Sequence, residues 1–161
     1  MMKSILTSVF VFLIAFQGCT NRENIDESEA PANPSDHAIV TSVVVSGNPG
    51  DFTFSVTVSS PDSGCEHYAD WWEVLTVEGQ LLYRRVLLHS HVGEQPFSRT
   101  GGPLNIKADE VVLVRAHMND SGYGTSAMEG SFATGFESKS LAEGFAEEVE
   151  KTEPLPVNCA F

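Results

Sequence analysis

The segment DFTFSVTVSS, residues 51–60, alternates without a break. Phe52, Phe54, Val56 and Val58 fall on one side, and Thr53, Ser55, Thr57 and Ser59 on the other. Successive side chains of a strand point to opposite faces, so this pattern makes one apolar face and one polar face. The apolar face has to be buried against a second layer, which is the demand an antiparallel sheet meets by packing on another sheet.

The neighbouring segments repeat the theme. HAIVTSVVVSG is rich in Val and Ile and stops at the turn GNPG. WWEVLTV and QLLYRRVLLHSH flank Glu78-Gly79, which reads as a tight hairpin with partners summing to 157. That register sets Glu73 opposite Arg84 and Trp72 opposite Arg85. It also carries Tyr68, Asp70, Trp72, His89 and His91 on one face. GEQPFSRTGGPLNI contains Pro96 and Pro103 and is expected at a sheet edge. EVVLVRAHM is a strong strand and AMEGSFATGF a weaker last one. The expected fold is all-β: a seven-strand antiparallel sandwich over residues 37–136, with residues 137–161 forming a short C-terminal helix and tail. The helix is predicted over SLAEGFAEEVEK, where Leu141, Phe145 and Val149 make one stripe and Ser140 with Glu143 reads as a capping box.

The stretch VLVRAHMNDSGYGTS resembles the penultimate strand and following loop of fibronectin type III domains. The resemblance implies an immunoglobulin- or fibronectin-like sandwich, with the third strand between the fourth and the sixth. The block YADWWEVLTVEGQLLYRRVLLHSHVGEQPFSRTGG is similar to an uncharacterised family of exported bacterial proteins, a likeness that brings no activity with it.

The first residues carry an export signal: Lys3, then the apolar run ILTSVFVFLIAF, which is too short for a spanning helix. FQGCT follows, and Gly18 before Cys19 resembles the lipobox of bacterial lipoproteins. The resemblance implies a signal peptide over 1–18, lipid on Cys19 and a membrane-anchored cell-envelope protein, facing the periplasm or on the outer membrane. Residues 19–36 are polar, Pro-containing and aperiodic, and read as a flexible tether. With Cys19 set aside, an oxidising compartment leaves Cys65 and Cys159 as the expected disulfide.

The formal net charge of −13 argues against nucleic acid and against anionic membrane surfaces, both of which need clustered Lys and Arg. There is no Gly-x-Ser-x-Gly, phosphate loop or His-Glu-x-x-His.

In a sandwich of alternating strands, the loops after the second, fourth and sixth strands share one end. Those loops carry CEHYAD, HSHVGEQ and HMNDSGYG. His67, His89, His91 and His117 would gather there with Asp70, Glu94, Asn119 and Asp120. His-x-His on a strand suits Cu or Zn, and His117 or His67 would complete the set. Hydrogen-bonded structural histidines are the plainer account of the same residues. Trp71 or Trp72, with Asp70 and Glu94, could instead serve carbohydrate or protein recognition. A metal-dependent enzyme would need an open coordination position beside Asp70 or Glu94 as a base. The leading expectation is a non-enzymatic cell-envelope binding module with a transition metal at the histidine pole; the alternative is an adhesion or carbohydrate/protein-binding domain without metal.

Overall fold

The computed structural model describes residues 36–160. Cys19, the signal segment and most of the tether lie outside them. Nine strands and one 3-10 turn follow in order: β1 (Ile39–Asn48), β2 (Asp51–Ser59), β3 (Ala69–Thr76), β4 (Leu81–Val86), β5 (Phe97–Leu104), β6 (Val112–Met118), β7 (Gly122–Tyr123), β8 (Ser126–Ser131), β9 (Gly135–Ser140) and the turn Glu147–Lys151. They form two antiparallel sheets. One runs β1-β2-β5. The other runs β4-β3-β6-β8-β9, with β7 paired to β6.

The alternation of β2 is realised in full: Phe52, Phe54, Val56 and Val58 are all 0% exposed, and their polar neighbours face outward. Each such side chain contributes roughly 1.5–3 kcal/mol on burial. They meet Trp72, Val74, Val112, Val114 and Met118 of the facing sheet in one continuous core. Trp72 fills the space above β5 only because Gly101 has no side chain; a Cβ there would lie 2.7 Å from the indole and from the Tyr83 ring. The segment predicted as an edge is one, since β5 pairs with β2 alone.

Two sequence expectations are corrected. AMEGSFATGF is not one strand but the start of the β8–β9 hairpin, closed by a turn at residues 132–134. The predicted helix over 140–151 is absent: Ser140 ends β9, turns follow, and only Glu147–Lys151 winds as a 3-10 turn. The stripe nevertheless packs inward, Val149 buried and Leu141 and Phe145 partly so. Leu141, Phe145, Ala146 and Val149 pack on Leu75 and Leu113, on the face of the larger sheet away from the main core.

An α-helix would have spent the carbonyls of this segment on its own N–H groups. Here two arginines take them. Arg115 donates from Nη1 to Phe145 O (2.6 Å) and from Nη2 to Ala146 O (2.9 Å). Arg84 donates to Val149 O (2.7 Å) and Thr152 O (2.5 Å). Ala146 lies in the left-handed region at φ 48°, which breaks any helix there. Residues 141–155 therefore cross the outer face of the sheet as a strap, and β3 is buried on both sides.

Both guanidinium groups converge on Glu73, which is 0% exposed. Arg84 donates from Nε and Nη2 to Oε2 at 2.9 and 2.7 Å, and Arg115 from Nε to Oε1 at 2.9 Å. Arg84 also lies over the Trp71 ring at 4.3 Å, and Arg115 over Tyr123 at 3.5 Å. Removing the shared carboxylate would leave two buried cations without a counter-charge. Glu73→Gln is expected to lower the unfolding free energy by about 3–5 kcal/mol. Urea unfolding checks this; a midpoint within error of wild type would refute it.

Candidate functional site

The chain directions bring the loops after β2, β4 and β6 to one end of the sandwich. Hydrogen bonds knit them into a single surface. Asp62, from the first loop, is 8% exposed. Its Oδ1 accepts from Ser60 Oγ (2.6 Å) and Ala69 N (2.9 Å), and its Oδ2 from His91 N (2.7 Å) in the second loop. Gln95, also in the second loop, accepts from Ser60 N at 2.9 Å. Asn119, from the third loop, accepts from Tyr68 N (2.9 Å) and donates to Cys65 O (3.0 Å). Cys65 is bonded to Cys159, and Ala160 N donates to Leu88 O, so the end of the chain is pinned to the same pole.

The pole also receives the start of the domain. Ile39 of β1 pairs with Ser59, the last residue of β2, and Ser121 Oγ donates to the Asp36 carbonyl at 2.8 Å.

The histidines divide into three surroundings. His67 Nδ1 lies 2.8 Å from Asp120, an exposed pair that holds the Asp120 carboxyl below its ordinary pKa. His117 is on the outer face of β6. Its ring stacks on Trp71 at 3.6 Å, its Nδ1 is hydrogen-bonded to Asp70 Oδ1 at 2.7 Å, and its Nε2 is 3.9 Å from Glu150 on the strap. Burial raises the Asp70 pKa, and the bond to His117 opposes that shift. His91 is turned inward, 3% exposed, stacked on Phe97 at 3.7 Å. The His89 ring is beside it, with centroids 4.5 Å apart and planes 37° from parallel.

The predicted register holds for residues 71–74, including Glu73 with Arg84 and Trp72 with Arg85; the strand ladder ends at Trp71 with Val86, and one further bond, Leu87 N to Asp70 O at 2.8 Å, continues it. The turn at Glu78-Gly79 is wider than two residues, with Thr76 N bonded to Gln80 O and Leu75 shifted onto Leu81. His89 and His91 therefore lie in the loop beyond β4 and not on a strand. Asp70 leaves the face of Trp72 because the β3–β6 register shifts between Ala69 and Trp71, making Asp70 a bulge residue that reaches His117.

The four histidines thus share an end of the molecule without sharing a centre. Among the described residues, no group of three or more His, Cys, Asp or Glu is placed to hold a metal ion. Both remaining cysteines are in the disulfide. Trp71 and Trp72 are 3% and 0% exposed, one under the strap and one in the core, so neither offers an open platform for a sugar. Glu94 is exposed and paired with Arg99 at 2.8 Å, which holds its carboxyl below the ordinary range.

Sequence reasoning missed Asp62, the residue that joins two of the loops. Its only signal was a carboxylate two residues after Ser60 in an otherwise turn-like stretch. The apolar residues of the pole were also passed over. Leu88 and Val92, in the loop after β4, are 53% and 58% exposed, and Val157, two residues before Cys159, is 87% exposed.

Burial, with Arg99 nearby, holds the His91 pKa below its ordinary value, while Asp62 and Glu94 pull the other way. The folded state therefore favours the neutral ring. This contribution to stability is present above about pH 6.5 and is lost as pH falls through the depressed folded value. His91→Phe keeps a ring on Phe97 and removes the titration. Between about pH 8 and about pH 5 the urea midpoint of wild type should fall more steeply than that of His91→Phe. Parallel slopes would show that His91 does not titrate this way.

The chain is similar to a protein from Halomicrobium mukohataei named "Putative lipoprotein", 44% identical over 75 residues, which is 47% of this chain and 37% of that protein. The chain thus spans little more than a third of the length of that relative. No family model and no solved structure matches. Among the described residues, no helix is long and apolar enough to cross a membrane.

Proposed function

We propose that this chain is an exported, lipid-anchored cell-envelope protein, and that its sandwich is a non-catalytic binding module acting through the loop pole. The observation that carries the reading is the construction of that pole. Asp62, Asn119 and the Cys65–Cys159 bond fix three loops and the chain's end into one preformed surface. Loops held on a rigid scaffold are where binding surfaces are ordinarily built. The likeness to a protein named as a lipoprotein supports the anchor, as do Gly18-Cys19 and the polar stretch 19–36. The order β4-β3-β6 supports a fibronectin type III-like arrangement, in which the third strand lies between the fourth and the sixth.

The anchor is tested by Cys19→Ser in the full chain expressed with its signal. Wild type should fractionate with membranes and enter the detergent phase, and the variant should appear in the soluble fraction. Retention of the variant in membranes would reject lipidation.

A second reading, a Cu or Zn ion at His89 and His91, rests on one specific feature. Both ring nitrogens of His91 are buried without a hydrogen-bond partner, and the His89 ring adjoins them. Such an ion would take these two imidazoles alone, with solvent in its other positions. Titration of purified protein with Cu²⁺ and Zn²⁺ should give about one equivalent that disappears in His89→Ala/His91→Ala. Binding unchanged in that variant, or none at all, would remove the metal.

A further inference from the structure

We propose that the surface this pole binds is the membrane itself, through an apolar tip formed by Leu88, Val92 and Val157. The proposal deepens the anchored-module reading and rests on it. With Val44, these three are the most exposed large apolar side chains among the described residues. Val44 lies along β1, whereas the three belong to two segments joined at the pole, since Ala160 N is bonded to Leu88 O and Cys159 to Cys65.

Four observations choose a lipid surface as the occupant. The first is where the chain comes from. Asp36 is held at this pole by Ser121, so the 16 residues between Cys19 and Asp36 join the proposed lipid to the same end that carries the tip. The second is reach. Sixteen residues of linker sequence can bridge no more than roughly 60 Å even fully extended, so a lipid on Cys19 would hold the tip within that distance of the bilayer at high effective concentration. Few apolar contacts are then needed, because stable attachment is reached by combining a lipid chain with a second weak signal.

The third is rigidity. The tip residues are on backbone already ordered by Asp62 and the disulfide, so little entropy is lost when they dock. The fourth is charge. Two of the pole's carboxylates already have protein partners, Glu94 the Arg99 guanidinium and Asp120 the His67 ring, while Glu66 and Asp36 are exposed. With a net charge of −13 on the chain, a zwitterionic surface suits this tip and an anionic one does not.

The test uses the full chain, purified from membranes and reconstituted into phosphatidylcholine vesicles, with and without bromine on the acyl chains. Leu88→Trp and Val157→Trp put a reporter on the tip, and Trp71 and Trp72 are buried and serve as a constant background. Val111→Trp is the control, because Val111 precedes Val112, which pairs with Thr76 at the opposite end of the sandwich. Brominated lipid should roughly halve the added emission of the tip reporters and leave the Val111→Trp signal unchanged, as shallow apolar insertion requires. Protein that floats with the vesicles while its tip reporters emit equally in both lipids would overturn the inference and leave the anchor standing. Tip reporters shielded from aqueous iodide but blind to bromine would overturn the inference and assign the tip to a contact with a second copy of this chain. Protein that does not float would remove the anchor, and the inference with it.

Discussion

One carboxylate organises the outer half of this protein. Glu73 lies in the middle of β3 with no exposure to solvent and accepts from two arginines on the flanking strands. A buried ion pair is a weak source of net stability, because desolvation offsets most of the attraction. Its effect here is geometric. Once Glu73 has oriented both guanidinium groups, their remaining donors point at the C-terminal segment and need acceptors. The carbonyls of Phe145, Ala146, Val149 and Thr152 supply them. The strap is irregular because it serves those donors, and β3 is buried on both faces because the strap is there.

The same strap links the buried charge network to the loop pole. It covers Trp71 and brings Glu150 toward the His117–Asp70 pair, so groups that would otherwise line an open sheet face are enclosed. It then delivers Cys159 to Cys65 among the pole loops. A loop of this length closed by a disulfide reduces the freedom of the unfolded chain by roughly 4–5 kcal/mol in the chain-entropy account. The pole is thereby rigid without a large hydrophobic core of its own, and its apolar residues can stand in solvent without collapsing onto one another.

Much of the sandwich was legible in local pattern. The alternation of Phe52 to Val58, the pairing of Glu73 with Arg84, the edge position of β5 and the gathering of three loops at one end all follow from period-2 spacing and strand direction. The site was less legible, for two physical reasons. A single bulge at Asp70 exchanged its face, which sequence spacing does not register. The histidines then found separate partners: Asp120 for His67, Asp70 and Trp71 for His117, and Phe97 for His91. Each pairing depends on residues distant along the chain, and so proximity at the pole did not become convergence on a point.

The stripe of Leu141, Phe145 and Val149 marks the division most clearly. Composition and spacing by themselves determined that these residues would be buried together, that the domain would be two packed antiparallel sheets, and that Cys65 and Cys159 would be partners, because apolar area, strand period and compartment are local or global properties of the chain. Whether the stripe wound as a helix was decided only in three dimensions. Two buried guanidinium groups offered its carbonyls a stronger partner than its own N–H groups, and a charged donor at low local dielectric outcompetes a neutral one.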